Sequence, residues 1–285
     1  MTYAERAVTF GCGHESLVGI LAVPQAPAST GVIVIVGGPQ YRAGSHRQFV
    51  LLSRTLAKAG YAVLRFDYRG MGDSSGAQRD FTAVSRDIAS AIQTLQQQLP
   101  AVRQVALWGL CDGASAALLY CQETQDARVS GLCLLNPWVR SEASLARAHV
   151  KHYYMDRLGQ KEFWLKLLRG KVALAAVAGL WRNVRLMAST SEPLTAAQRL
   201  AFQQRMALAW GSFNGSILLV LSGDDYTARE FMEYARVDRA WSGLLQQAKV
   251  IVHPLPDADH TFSGAVSRAG VERATLNWLQ QQAAA

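Results

Sequence analysis

The stretch "VALWGLCDGASAALL", residues 105–119, decides how the rest of the chain is read. An apolar strand-like run passes through Gly109, Leu110, Cys111, Asp112 and Gly113 into an Ala/Leu-rich helix. That is the strand–G-x-S-x-G–helix turn, with Cys111 where a serine usually stands. So tight a turn forces its central residue into a strained backbone and holds the side chain above the sheet edge, at the start of the helix. The two glycines leave room where strand and helix nearly touch. A helix N-terminus favours negative charge, and so favours a thiolate. By itself, a Gly-rich turn around a buried structural cysteine would have the same sequence.

Outward from this turn, apolar β-branched runs mark buried strands: "GVIVIV" (31–36), "YAVLRF" (61–66), "RQVALWG" (103–109), "VSGLCLLNP" (129–137), "SILLVLSG" (216–223) and "AKVIVHPL" (248–255). Strands covered on both faces need such continuous apolar runs. Segments of helical periodicity separate them: "HRQFVLLSRTLAKAG", closing on Gly60 as a C-cap, "FTAVSRDIASAIQTLQQQL" (81–99), "ASAALLYCQ", "TAREFMEYARVDRAWSGLLQ" and the final "AVSRAGVERATLNWLQQQ". The alternation implies right-handed crossovers and an α/β fold, a mostly parallel central sheet with helices on both faces. The two strands around "GCGHES" are expected to form an antiparallel hairpin at the sheet edge.

The alternation stops between Trp138 and Gly215, where strand signals are absent and helical ones continue. This predicts an inserted helical cap, 138–215, within a core made of 1–137 and 216–285. The insert carries twelve basic and four acidic side chains, an excess equal to the +8 of the whole chain of 285 residues. A nucleic-acid binder would spread its basic face over the main fold, so nucleic acid is not an expected partner. The stretch "RAHVKHYYMDRLGQKEFWLKLLRGKVALAAVAGLW" could steer an anionic or amphipathic acyl substrate, or lie peripherally on an anionic membrane. It could equally be a solvated face over an apolar cap core formed by Tyr154, Phe163, Trp164 and Trp181.

Half the residues are hydrophobic and 18% are charged, an ordinary globular balance. No run of 18 apolar residues suggests a membrane span, and the first residues read as strand–turn–strand, not as a signal peptide. Cys12, Cys111, Cys121 and Cys133 show neither CxxC pairing nor metal-ligand spacing, and are expected as reduced thiols in the cytoplasm. Cys121 and Cys133 lie in apolar contexts and are expected in the core. No cofactor fingerprint is present: "GGPQYRAG" lacks the GK[ST] of a phosphate loop. Oligomeric state is not legible.

If Cys111 is a nucleophile, it needs a base, an acid that orients the base, and an oxyanion hole. In this strand order the acid follows a later strand and the histidine comes last. "LLVLSGDDYTA" offers Asp224 and Asp225, of which Asp225 is preferred because it lies deeper in the loop beyond the glycine. "LPDADHTFS" offers His260. His14, His46, His149, His152 and His253 have weaker claims, although His46 begins the first long helix and could touch substrate. One oxyanion donor is the backbone N–H of Asp112. The other is Gly38, since Pro39 has no N–H. The direction of the Asp112 side chain is open; a carboxylate facing the sulfur would disfavour the thiolate. Gln40, Tyr41, Arg42 and His46 are the candidate substrate contacts.

The chain resembles the α/β-hydrolase superfamily along essentially its whole length. "VGGPQ" is similar to the H-G-G-P-G oxyanion loop, with Val36 for the histidine and Gln40 for the last glycine. "RFDYRGMGDSSG" (65–76) resembles a D-x-R-G-x-G-x-S stretch common in that superfamily. "GGPQYRAGSHRQF", "GLCDGAS", "SGDDYTAREF" and "DADHTFS" together are similar to the exosortase A system-associated hydrolases of type 1. That resemblance implies a cytoplasmic hydrolase with no settled substrate, in a group tied to exopolysaccharide and protein sorting; the basic cap is what would hold it peripherally at the inner membrane. Dienelactone hydrolases and polyhydroxyalkanoate synthases also carry cysteine in G-x-C-x-G, so the fold accommodates a thiol nucleophile. The expected activity is hydrolysis of an ester, thioester or lactone through an acyl-thioester on Cys111. The alternatives are acyl transfer from Cys111 to a sugar or other hydroxyl, and a non-catalytic binding protein on the same scaffold.

Overall fold

Residues 2–38, 40–140 and 200–284 are described by the computed structural model of the chain. The apolar runs form the strands β1 (Tyr3–Cys12), β2 (Glu15–Pro24), β3 (Thr30–Ile35), β4 (Val63–Phe66), β5 (Gln104–Leu110), β6 (Val129–Leu135), β7 (Ser216–Asp224) and β8 (Val250–Asp259). The helices are α1 (Gln48–Lys58), α2 (Ser85–Gln98), α3 (Asp112–Thr124), α4 (Phe202–Ser212), α5 (Tyr226–Val237) and α6 (Ala265–Ala284). The sheet runs β1-β2-β4-β3-β5-β6-β7-β8. β1 pairs antiparallel with β2, and β2 with β4; every pair from β4 to β8 is parallel. The expected edge hairpin is therefore present, at one end of an otherwise parallel sheet.

Side chains alternate faces along a strand, and both faces of the central strands β3 to β6 are buried. In β3, Ile33 and Ile35 point into one core with Leu107, Leu118, Leu132 and Phe231. Val32 and Val34 point into the other with Phe49, Leu52, Trp108 and Trp278. This is why the strand reads as an unbroken apolar run. Each such side chain, fully buried, contributes about 1.5–3 kcal/mol. Cys121 and Cys133 are both buried, and burial pushes each thiol up to about 12.

Met1–Val139 and Ala201–Ala285 group as one compact unit. The cap expected over 138–215 lies, from 141 to 199, outside the described residues. Near its end α4 packs on α3 and buries Met206 and Trp210. The Trp210 and Trp241 rings meet edge to face at 5.4 Å. No helix of the described residues is long and apolar enough to cross a membrane.

Two expectations need correction. The helix anticipated over "TAREFMEYARVDRAWSGLLQ" ends at Val237. Asp238 turns to extended backbone and its carboxylate caps the Ala240 N–H at 2.8 Å, so two short 3-10 turns replace the second half. His46 does not begin α1. It sits in a preceding 3-10 turn with φ 53°, followed by Arg47 at φ 59°, and α1 starts at Gln48.

Candidate active site

Cys111 occupies the single residue between β5 and α3, with φ 60° and ψ −125°. A non-glycine residue with positive φ outside the left-handed helical well is strained and persists only where its surroundings over-determine it. Here they do. Its N–H donates to the Leu135 carbonyl at 2.9 Å, and its carbonyl accepts from Ala114, Ser115 and Trp138 at 3.1, 3.3 and 3.2 Å. A Cβ on Gly113 would come within 2.5 Å of the Ile35 carbonyl oxygen, so only glycine lets α3 start this close to β3. The turn leaves the Cys111 thiol half-buried.

The other two groups come from the next strand ends. Asp225 N-caps α5 and accepts the N–H groups of Thr227 and Ala228 at 3.0 and 3.2 Å. Its Oδ2 meets His260 Nδ1 at 2.8 Å. Asp224, beside it, is exposed. His260 follows β8 in a turn closed by Asp259, which accepts the N–H of Thr261 and of Ser263 at 3.0 and 2.9 Å. The imidazole also interacts electrostatically with the Cys111 thiol. The chain thus brings Cys111, His260 and Asp225 into one row.

The electrostatics follow this row. His260 is pushed up to about 10 by its bond to Asp225, then by its interaction with Cys111, against partial burial. For Asp225, burial works to raise the carboxyl; the bond from His260 and the two backbone donors outweigh it and hold the group below its ordinary range. Asp112 behaves oppositely. Burial raises its carboxyl above the ordinary range, although nearby backbone N–H groups, Gly38 first among them, work to lower it. The Gly38 N lies 2.5 Å from Asp112 Oδ1. Of the two expected oxyanion donors, Gly38 and Asp112, the Gly38 N–H is therefore engaged by the Asp112 side chain.

The candidate substrate contacts fare unequally. The Arg42 guanidinium is bound to the carboxylates of Asp67 and Asp73, and its N–H donates to Asp67 at 2.6 Å. Asp67 is almost fully buried and also takes the Asp73 N–H at 3.1 Å. Arg42 therefore ties the loop after β3 to the loop after β4. Gln40 Oε1 accepts from the Ser45 N–H and the Gln48 amide at 3.2 and 3.3 Å, and turns back into its own loop. Tyr41 and His46 are exposed. Among the described residues no group of three or more His, Cys, Asp or Glu side chains could hold a metal ion.

Sequence reading missed Asn136, just past β6. It is fully buried with φ 44°, a conformation asparagine tolerates better than most residues. Its Oδ1 accepts the Ser222 N–H at 2.9 Å, and its Nδ2 donates to Ser222 Oγ at 2.8 Å and to the His260 carbonyl at 3.3 Å. Ser222 Oγ in turn donates to the Asp259 carbonyl at 2.9 Å. One amide therefore clamps the strand that carries Asp225 to the turn that carries His260. The only signal was a polar residue ending an apolar strand in "LCLLNP".

A mostly parallel eight-stranded sheet, with helices on both faces and this row at the carboxyl ends of its strands, defines an α/β hydrolase fold. The chain belongs to the serine aminopeptidase S33 family, whose model matches residues 27–225. The family's description specifies a serine; this chain has Cys111 in the nucleophile turn. No curated protein matches the sequence. Among solved structures, the chain is similar to the esterase Pf2001 of Pyrococcus furiosus, with 16% identity and a TM-score of 0.64 over 98% of this chain and 93% of that one. It is also similar to Est1E of Butyrivibrio proteoclasticus, solved with ferulic acid, at 18% identity and TM-score 0.62 over 98% and 100%. The dienelactone hydrolase of Anabaena variabilis matches at 14% and 0.63 over 99% of each chain. At these identities the likeness is one of fold.

Proposed function

We propose that the protein is a thiol-dependent acyl hydrolase acting on an ester, thioester or lactone, with Cys111 as nucleophile, His260 as base and then acid, and Asp225 orienting the imidazole. The observation that carries this reading is the row itself: one histidine hydrogen-bonded to a carboxylate on one strand end and in electrostatic interaction with the elbow thiol on another. With the His260 ring held protonated, the thiol proton already rests on the imidazole and the sulfur attacks the acyl carbonyl carbon as the thiolate. The tetrahedral oxyanion is held by the N–H groups of Asp112 and Gly38 once the Gly38 N–H is vacant. The C–O, or C–S, bond to the leaving group breaks, and His260 returns its proton to the departing oxygen or sulfur. In the second half His260 deprotonates water, which attacks the thioester carbonyl. The acid leaves, and Cys111 is again a thiolate beside the protonated ring.

A thiolate suits activated and thioester carbonyls better than unstrained amides, so esterase or thioesterase chemistry fits the cysteine better than peptide cleavage. The four motifs similar to exosortase A system-associated hydrolases support an acyl substrate from exopolysaccharide or protein-sorting chemistry, handled in the cytoplasm or at the inner face of the membrane. The basic stretch within 138–215 supports an anionic or amphipathic acyl group. Turnover of 4-nitrophenyl esters tests the assignment. Cys111→Ala and His260→Ala should each lower kcat by at least about a thousandfold in a folded protein. Retention of activity by Cys111→Ala removes the assignment.

A further inference from the structure

Acyl transfer at Cys111 needs its oxyanion hole, and the structure places a carboxylate there. Asp112 follows the nucleophile directly, and its Oδ1 accepts the Gly38 N–H at 2.5 Å. That N–H is one of the two donors that a substrate oxyanion would use. A carboxylate oxygen and a tetrahedral oxyanion ask for the same surroundings, converging backbone N–H groups at a helix N-terminus. They cannot both occupy them. The local backbone is shaped to this side chain: a Cβ on Gly37 would run into the Leu110 carbonyl oxygen and Asp112 Oδ1. Only glycine lets the loop after β3 close so tightly over it.

The arrangement also contains the means of reversal. The nearby Asp80 repels the carboxylate. Tyr68, at the start of the loop after β4, feels the Asp112 charge. Its buried hydroxyl has no hydrogen-bond partner among the described residues. An unused donor therefore lies within electrostatic reach of a carboxylate that leaves the hole.

Resting on the reading of Cys111 as nucleophile, we propose that Asp112 is a specificity-determining gate: its carboxylate fills the oxyanion hole at rest, and only acyl groups whose binding displaces it are processed. Simple alkyl esters, with nothing to draw the carboxylate out, are then turned over more slowly by the intact protein than by a variant without the carboxylate, for a reason that lies outside the Cys111–His260–Asp225 row.

The test compares the full-length chain with Asp112→Ala and the near-isosteric Asp112→Asn. It reads kcat/KM for 4-nitrophenyl butyrate, the rate of Cys111 alkylation by iodoacetamide, and the Gly38 amide resonance. Alkylation forms no oxyanion, so it reports thiol reactivity alone. Opening the hole should raise ester turnover by at least about tenfold more than it raises alkylation, with Asp112→Ala above Asp112→Asn. Turnover that falls, or rises only in step with alkylation, overturns the gate. The Gly38 amide proton should move upfield in Asp112→Ala; an unmoved resonance also overturns the gate. If esterase activity persists in Cys111→Ala, the nucleophile assignment fails by itself, and the Gly38 resonance still reports whether Asp112 fills the hole.

Discussion

Two helices begin with an aspartate at their N-terminus, α5 at Asp225 and α3 at Asp112, and the two carboxylates have opposite characters. Asp225 takes two backbone N–H groups and the His260 ring, and is held below the ordinary carboxylate range. Asp112 takes the Gly38 N–H, and burial pushes it up. A helix N-terminus offers an anion site in both cases. The second partner decides the role. A ring that can become a cation turns Asp225 into an orienting acid; a loop N–H of the oxyanion hole turns Asp112 into an occupant of that hole.

The contrast breaks first at Asp225. Asp225→Asn keeps the shape but removes the charge that holds the histidine proton in place, and should lower kcat on a 4-nitrophenyl ester by about 10³–10⁴-fold. Equal losses from Asp225→Asn and Asp112→Asn would erase the difference between the two carboxylates. A smaller effect is expected at Asn136, which acts through its neighbours as a positioning residue. Asn136→Ala leaves the buried Ser222 N–H unpaired, at a cost of about 1–3 kcal/mol. It should lower kcat about tenfold or more with KM little changed, because the His260 turn loosens while the sulfur stays in place. An equal change in KM would mean that the clamp holds the substrate site, not the histidine.

The smallest effect is on stability against pH. The His260 value is raised from its ordinary 6.5 to about 10, so its pairing with Asp225 stabilises fully below 6.5 and is lost as pH rises through about 10. Asp225, held below its ordinary 3.8, contributes fully above that value and loses its contribution in more acidic solution. The His260 side chain is 34% exposed, so solvent screening leaves on the order of 1 kcal/mol. The wild-type melting temperature should exceed that of His260→Ala at pH 6.5, and the gap should narrow by about 2–4 °C by pH 10. A gap that widens toward pH 10 would show that the ring is not held as a cation.

Much of this fold could be read from sequence because its signals are local. "GVIVIV" reads as a strand covered on both faces because Val32 and Val34 enter one core and Ile33 and Ile35 the other. The elbow is legible because only glycine fits at Gly113, and Asp225 was separable from Asp224 by its place beyond the glycine. What escaped is set by contacts between distant segments. The Asp112 side chain turns toward Gly38, seventy-four residues away. Asn136 bonds residues eighty-six and more away. Arg42 pairs with Asp67 and Asp73 in a neighbouring loop, so a residue expected to face substrate serves as a tie. The end of α5 at Val237 depends on a side-chain cap from Asp238 that competes with continued helix.

The central claim is that Cys111 becomes acylated. Intact-protein mass after brief exposure to a panel of 4-nitrophenyl esters, with Cys111→Ala alongside, tests it most directly. The account predicts a single added acyl group on the wild type, absent from Cys111→Ala and longer-lived in His260→Ala when the acyl group is supplied as a reactive thioester. No adduct on the folded wild type, or an equal adduct on Cys111→Ala, would contradict it.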